Sequence, residues 1–317
     1  MATIQAVVVD PAATGRLSLR EVEAPSGRSN EALIRVRATS LNRGEIRGAG
    51  TAPDGQRIGW DVAGTIEQPA ANGSGPTAGA RVVALSFTPP MGWAELVALP
   101  TDFIAELPPK VTFAEAATLP VAGLTALLTL EKRGSLLGRR ALITGASGGV
   151  GHLAVQIARA GGAHVVAVVR RQNAVQMVHD AGAHEVVVSE DASGAAAHGP
   201  YDIIVDAVGG PVLSNVLTMV APRGVVVTYG ATAAAETTFD VARFYRAGVP
   251  TLAAFQVFPE VSVEAAGVGL RRLAEMVADG RLRPLIQVEG PWTDIGKLAV
   301  DLTERRFDGK AVIHIGS

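Results

Sequence analysis

An apolar run, Ala141–Leu142–Ile143–Thr144, leads directly into Gly145–Ala146–Ser147–Gly148–Gly149–Val150–Gly151, and a helical pattern begins at once. Read from Ala146, the small residues Ala146, Gly148 and Gly151 hold the spacing G-x-G-x-x-G, with Ala in the first place. That spacing suits the cradling of a dinucleotide. Gly148 lets backbone approach a pyrophosphate, and Gly151 lets the helix pack against the strand. The helix start offers free N–H groups and the positive end of a dipole. An ordinary glycine-rich strand-to-helix turn would read the same way, but a strand before, a helix after and a βαβ unit around it favour the dinucleotide. About twenty residues further on, an NAD site places an acid for the ribose 2′-hydroxyl. Here Val169 is followed by Arg170, Arg171, Gln172 and Asn173. A missing carboxylate and two guanidiniums suit a 2′-phosphate, held by charge-assisted hydrogen bonds, so the expected cofactor is NADPH. A solvated basic turn is the alternative.

Other chemistries find little support. The chain has no cysteine, which excludes disulfides, catalytic thiols and thiolate metal sites. The six histidines show no convincing ligand spacing, and His152, just past the glycine turn, suits surface or packing work, so no metal is expected. A net charge of −2 gives no electrostatic case for nucleic acid or an anionic membrane. No apolar run nears the ~20 residues of a membrane span, and the first ten residues lack the pattern of a signal peptide. The expectation is a cytoplasmic protein.

The elements that must position these residues change character along the chain. Residues 1–111 read as short alternating strands, at 6–9, 32–38, 62–66 and 81–85, between Pro/Gly-rich turns, with 69–80 a surface loop. From Thr112 to about Phe258, apolar strands (140–144, 164–169, 185–188, 201–206, 225–229, 251–256) alternate with helices (112–133, 150–160, 172–181, 212–219, 240–247). Repeated βα units imply a parallel sheet, and continuous apolar strands imply cover on both faces. A helix at 263–279 ends at Gly280. A tail with helix 293–304 and strand 311–315 is too small to fold alone and is expected to complete the first domain. The fold class is thus α/β, with a β-rich domain at 1–118 and 262–317 and a doubly wound parallel-sheet domain at 119–261.

Several segments together resemble one family over nearly the whole chain. They are Ser40–Leu41–Asn42–Arg43–Gly44–Glu45, Gly59–Trp60–Asp61–Val62–Ala63–Gly64–Thr65–Ile66, Leu119–Pro120–Val121–Ala122–Gly123–Leu124–Thr125–Ala126, the glycine turn, Asp206–Ala207–Val208–Gly209–Gly210 and Gly309–Lys310–Ala311–Val312. In this order they resemble the medium-chain dehydrogenase/reductase superfamily, in its zinc-free, quinone oxidoreductase-like (zeta-crystallin-like) branch. The resemblance implies a GroES-like catalytic domain, a Rossmann domain, and a homodimer joined through the Rossmann edge strand, here 251–257. It also implies cofactor roles: Asn42 and Thr125 at the nicotinamide side, Ser147, Gly148, Gly149 and Val150 at the pyrophosphate, Val208, Gly209, Tyr229 and Gly230 along the adenosine and nicotinamide route, and Phe255, Gln256 and Val257 near the nicotinamide.

The activity so implied is metal-free hydride transfer from NADPH to a quinone or an activated C=C bond, an enone or enal. Arg43, Arg47, Trp60, Trp93 and Phe244 are the candidate pocket residues; Trp60 and Trp93 would stack on a flat quinone or enone or, equally, serve as core or lid packing. Asn42 is a candidate hydrogen-bond donor to a carbonyl or ribose, or a loop cap, and Tyr245 a candidate proton donor. Asp61 is either a proton relay or a loop brace, with the brace favoured. The segment 42–60 lacks the tyrosines common in quinone oxidoreductases, and Arg47 with small residues fills the space. The competing readings are a zinc-free alcohol or ketone dehydrogenase and a non-catalytic NADPH-binding structural or regulatory protein.

Overall fold

The computed structural model describes residues 2–87, 89–262 and 265–316. Strands run at Thr3–Val9 (β1), Leu17–Glu23 (β2), Glu31–Ser40 (β3), Asp61–Gln68 (β4), Arg81–Leu85 (β5), Leu96–Pro100 (β6), Ile104–Glu106 (β7), Arg140–Ile143 (β8), His164–Val169 (β9), Glu185–Val188 (β10), Tyr201–Asp206 (β11), Val220–Thr228 (β12), Thr251–Ala254 (β13), Ile286–Pro291 (β14) and Lys310–His314 (β15). The chain divides into two compact units. Unit 1 is Met1–Leu124, Phe258–Gly280 and Pro284–Ser317; unit 2 is Thr125–Val257 with Arg281–Arg283.

Unit 1 holds a β1–β2 antiparallel ribbon and a seven-stranded sheet ordered β14-β15-β3-β4-β5-β7, with β6 on β3. Along β3 alternate residues Ala32, Ile34 and Val36 are buried, as a sheet with one face on a core requires. The chain's last strand, β15, pairs antiparallel with β3 and parallel with β14, so the tail is an integral part of this sheet. Helix Ile295–Thr303 fastens it further: a Cβ at Gly296 would sit 2.3 Å from the carbonyl oxygen of Thr14.

Unit 2 is a six-stranded parallel sheet ordered β10-β9-β8-β11-β12-β13. Its central strands are apolar and closed off: Ala141, Leu142, Ile143, Ile203, Ile204 and Val205 have no exposure. The order reverses between β8 and β11, the switch point at which doubly wound folds bind ligands.

Residues 112–133, expected as one helix, form three pieces. A capping box of Thr112 and Glu115 opens helix Phe113–Ala117. A π-helical turn follows at Leu119–Gly123, and then helix Leu124–Glu131. Pro120 lacks an N–H and clashes with a regular helix, so the ladder widens there. Residues 119–123 pack on β4, β5 and helix Ala266–Ala278. The change of unit therefore falls after Leu124 and not after residue 118. The second change falls after Val257, because Phe258 packs on unit 1 rings. Of the helix expected at 263–279, residues 263 and 264 lie outside the described residues, and the helix runs Ala266–Ala278. Strands β2, β6, β7 and β14 and helices Arg43–Ala49 and Val257–Val261 were not expected. No helix among the described residues is long and apolar enough to cross a membrane.

Candidate functional site

In unit 2 the glycine turn leaves β8 with Gly145 at φ +60, and the N–H of Gly148 closes the turn on the carbonyl of Gly145 at 3.0 Å. Gly148 is the N-cap of helix Gly149–Ala160. Gly151 must lack a side chain: a Cβ there would lie 2.4 Å from the Gly145 oxygen. Gly148 differs. A Cβ there would meet just that same oxygen, at 3.3 Å, so the rest of its surroundings are open. Ser147, Gly148, Gly149 and Val150 are half-buried. The first-turn N–H groups have no partner within the helix. An open backbone cradle beneath unpaired N–H groups fits a pyrophosphate.

The neighbouring strand ends complete this edge of unit 2. The N–H of Ala146 donates to the carbonyl of Val168 at 3.2 Å, which sets the end of β9 beside the turn. Exposed Arg170 and half-buried Arg171 follow β9 directly. After β11, Asp206 is fully buried and accepts from Thr144 Oγ1 at 2.6 Å and from the N–H groups of Val208 and Gly209 at 3.3 and 2.9 Å. Burial raises its pKa, against the pull of those three donors. Tyr229 donates its N–H to the carbonyl of Asp206 at 3.0 Å, and a Cβ on Gly230 would sit 2.8 Å from the Ala207 oxygen, so both follow β12 beside this loop. Thr125, Phe255 and Val257 are buried, and Gln256 is exposed. Sequence reasoning missed Thr144 and Asp206 as a pair; a hydroxyl and an acid ending two apolar strands were the available signal.

In unit 1, Asn42, Glu45, Asp61 and Lys310 form a buried polar cluster. Asn42 Nδ2 donates to Glu45 Oε2 at 3.0 Å and to Asp61 Oδ2 at 2.7 Å, while Asn42 Oδ1 accepts from Lys310 Nζ at 2.6 Å. The opposite amide orientation would turn its N–H2 on the Lys310 ammonium and its oxygen on the Asp61 carboxylate, so the network assigns the amide. Lys310 Nζ also donates to the Leu41 carbonyl at 2.9 Å and reaches Asp61 Oδ2 at 3.4 Å. Ser40 Oγ donates to Asp61 Oδ2, and Val121 N–H, in the π-helical turn, to Asp61 Oδ1 at 2.9 Å. Glu45 accepts from the backbone N–H groups of Asn42 and Trp60. Burial first, then the charge of Asp61, push Glu45 up to about 8, against Lys310 and the N–H donors.

Both amide protons of Asn42 are therefore taken by carboxylates. The donor role expected of Asn42 toward a substrate carbonyl has no free N–H here; the side chain organises its loop and completes a capping box with Glu45. Asp61 braces the loop and π-turn. One further candidate is displaced from the pocket. Trp93 has no exposure and lies in the unit 1 core, with its ring 2.6 Å from where a Cβ on Gly59 would sit, so it lines no pocket. Phe244 packs edge-on to Phe239 at 5.8 Å against the unit 2 core. Tyr245 is 59% exposed on helix Val241–Arg246. Trp60 does join an aromatic cluster: Phe258 meets it edge-on at 4.7 Å and stacks with Phe87 at 5.3 Å. Arg43 and Arg47 are exposed on helix Arg43–Ala49. His152 is buried and held down at about 4 by desolvation. Its Nδ1 meets Gln156 Nε2 at 3.0 Å, and Gln156 pairs with both backbone polar groups of Arg283, which ties 281–283 to unit 2.

Two family models match the chain: the alcohol dehydrogenase GroES-like domain over residues 28–109 and the zinc-binding dehydrogenase over residues 149–260. A chloroplast envelope quinone oxidoreductase homolog of Arabidopsis thaliana is 31% identical over 309 residues, covering 92% of this chain and 90% of that one. The chain belongs to the medium-chain dehydrogenase/reductase superfamily, with a quinone oxidoreductase-like character. Among solved structures, a putative zinc-dependent alcohol dehydrogenase of Rhizobium etli is similar with a TM-score of 0.88 at 25% identity, covering 99% of this chain and 98% of that one. The quinone oxidoreductase of Coxiella burnetii shares the fold, with a TM-score of 0.83 at 24% identity over 98% and 99% of the two chains.

Within this superfamily the two units are the GroES-like domain and the Rossmann domain. The residues present do not fit a zinc centre. The chain has no cysteine, and the described residues contain no group of three or more His, Asp or Glu placed to hold a metal ion.

Proposed function

We propose that this protein reduces a quinone or an activated C=C bond, as in an enone or enal, with NADPH and without a metal. The coarse activity follows from the family: it is an oxidoreductase dependent on a nicotinamide dinucleotide. One observation carries the finer reading, namely the open backbone at Gly148 followed, past the end of β9, by Arg170 and Arg171 in place of an acid. Ser147–Val150 would hold the pyrophosphate and the two arginines the 2′-phosphate. Val208, Gly209, Tyr229 and Gly230 would line the route beyond.

The bound cofactor supplies a hydride. The protein's own part is to fix the dinucleotide, exclude water, and offer donors to the carbonyl oxygen on which charge develops. Reducing a conjugated carbonyl demands less of those donors than oxidising an alcohol, which needs an alkoxide stabilised. With the Asn42 amide committed, the proton is assigned to solvent. Trp60, Phe87 and Phe258 form a half-buried aromatic cluster, which supports a flat, conjugated substrate. Pairing of two copies through β13, the last strand of its sheet, is supported by 38% exposed Leu252 on that edge. A cytoplasmic location belongs to the same proposal.

The test is consumption of NADPH across a panel of quinones, enals, enones and nitroalkenes, with NADH in parallel. Turnover of at least one such acceptor with NADPH preferred is the expected result. Tight NADPH binding with no turnover anywhere on the panel would favour a non-catalytic protein, and oxidation of unactivated alcohols would favour a dehydrogenase.

A further inference from the structure

We infer that Thr144 and Asp206 are positioning residues for the dinucleotide: a buried hydroxyl–carboxylate brace that sets the backbone of 207–209 and locks it to the glycine turn. The inference rests on the dinucleotide reading above. Thr144 is the residue immediately before the turn, and Asp206 is the last residue of β11. The single proton of the Thr144 hydroxyl goes to Asp206 Oδ1 at 2.6 Å, and its oxygen accepts from the N–H of Ala207 at 3.1 Å. The carboxylate then takes the next two backbone protons, those of Val208 and Gly209, at 3.3 and 2.9 Å. Three consecutive N–H groups are thus held by one pair of side chains from adjacent strands.

The backbone so held is one that only glycine tolerates. Gly209 lies at φ 72, ψ −166, and Gly210 follows at φ +53. A Cβ at Gly209 would stand 2.5 Å from the carbonyl of Ala234. The loop is locked on both sides. A Cβ at Gly145 would reach the Ala207 side chain at 3.2 Å. Beyond β12, Tyr229 donates to the carbonyl of Asp206 at 3.0 Å, Thr232 to that of Ala207 at 3.3 Å and Ala233 to that of Val208 at 2.9 Å. These residues surround the switch point between β8 and β11.

A buried carboxylate is costly where an apolar pair of the same size would pack. Here the charge accepts three hydrogen bonds, which an apolar residue could not do. Because 207–209 spend their N–H groups on the brace, the loop meets the dinucleotide by shape, while the N–H groups of Gly149 and Val150 at the helix start remain for phosphate. Loss of the brace should weaken binding and leave the chemical step of the saturated enzyme nearly unchanged.

The experiment measures binding of NADPH, and of 2′-phospho-ADP-ribose as a probe without nicotinamide, by calorimetry on the full chain. Thr144→Val keeps shape and removes the hydroxyl; Thr144→Ser restores it. The valine variant should bind both probes about ten- to a hundredfold more weakly, the serine variant within a few-fold of the unaltered protein, and KM for NADPH should rise without a matching fall in kcat. Asp206→Asn, which turns an N–H2 toward one of its donors, should repeat the loss. In the unaltered protein, saturating NADPH should slow amide exchange at Val208 and Gly209 as well as at 147–150. Unchanged affinity in a folded Thr144→Val or Asp206→Asn variant, or no slowing at 208–209, overturns the brace. Failure of the unaltered protein to bind NADPH at all overturns the dinucleotide reading instead.

Discussion

Replacing Lys310 by Met puts the buried cluster of unit 1 to the test. Lys310 is 4% exposed and sets its ammonium in that cluster; Glu45 and Asp61 are 3% and 0% exposed. Methionine has similar length and no charge, so the packing survives while two carboxylates lose their neutralising partner. Removing one member of a buried ion pair costs about 3–5 kcal/mol. For a unit of this size that is a fall in Tm of roughly 6–20 °C. The loss should depend on pH. Burial and Asp61 raise Glu45 from 4.5 to about 8, so the folded state holds that proton more tightly than the unfolded chain does. Its stabilisation is full below about pH 4.5 and is lost as pH rises through about 8, with a slope of at most about 1.4 kcal/mol per pH unit. At pH 6.5 Glu45 keeps a proton and Lys310 has mainly Asp61 to neutralise. At pH 8.5 it faces two charges, and the substitution should cost more. The three tryptophans, Trp60, Trp93 and Trp292, all lie in unit 1, so their fluorescence during urea unfolding reads this unit directly. A cost below about 1 kcal/mol at pH 8.5, or one that does not grow between pH 6.5 and 8.5, would refute the reasoning.

Four further outcomes are expected. Gly148→Ala should lower Tm less than Gly151→Ala yet weaken NADPH, because its Cβ touches the Gly145 oxygen at 3.3 Å and otherwise faces the space where phosphate would lie, whereas the Cβ of Gly151→Ala would strike that oxygen at 2.4 Å; equal Tm losses would contradict the geometry. Arg170→Ala with Arg171→Ala should weaken NADPH by about 1.5–3 kcal/mol per lost charged hydrogen bond and leave NADH nearly untouched, and equal losses for both cofactors would defeat the 2′-phosphate assignment. His152, held down at about 4, should make unit 2 lose stability as pH falls from 6.5 toward 4; circular dichroism of His152→Leu should show that slope flattened. Tyr245→Phe should retain the rate, since the hydroxyl sits on an exposed helix; a large fall in kcat would restore it as a proton donor.

Unit 2 was legible because its strands are local statements. Continuous runs such as His164–Val169 and Tyr201–Asp206, each ended by a turn, are enough to mark buried parallel strands, and both were placed to the residue. The glycine turn was legible for the same reason: strand, turn and helix adjoin in sequence. The unit 1 cluster was not. Lys310 and Asn42 stand 268 residues apart, and no local pattern joins them. Helix Arg43–Ala49 hid behind Gly44 and Gly48, although Asn42 and Glu45 stand at the spacing of a capping box, a signal that was overlooked. For Trp93 the sequence left substrate stacking and core packing open alike, because in a Gly/Pro-rich stretch between short strands an aromatic side chain has no periodicity to declare it core. Its burial depends on Gly59, at φ +116, yielding space for the ring.

The two units solve a similar problem in the same way. Asp61 begins β4 and Asp206 ends β11; each is fully buried, each accepts a hydroxyl, from Ser40 or Thr144, and each accepts backbone N–H from an irregular segment, the π-turn at Val121 or the loop at Val208 and Gly209. A buried acid with several donors fixes such backbone more tightly than apolar contact can, because each lost hydrogen bond would leave a charge unsatisfied. In both units the polar side chains that look most reactive in the sequence are thereby consumed in holding shape. Asn42 and Asp61 have no atoms left for proton transfer without dismantling their surroundings. A protein built this way contributes to hydride transfer chiefly by placement. Substitutions in either brace should therefore register first in cofactor affinity or stability, while the rate of the saturated enzyme changes little, and a brace variant that lost kcat with binding and fold intact would mark that residue as a participant in the chemistry.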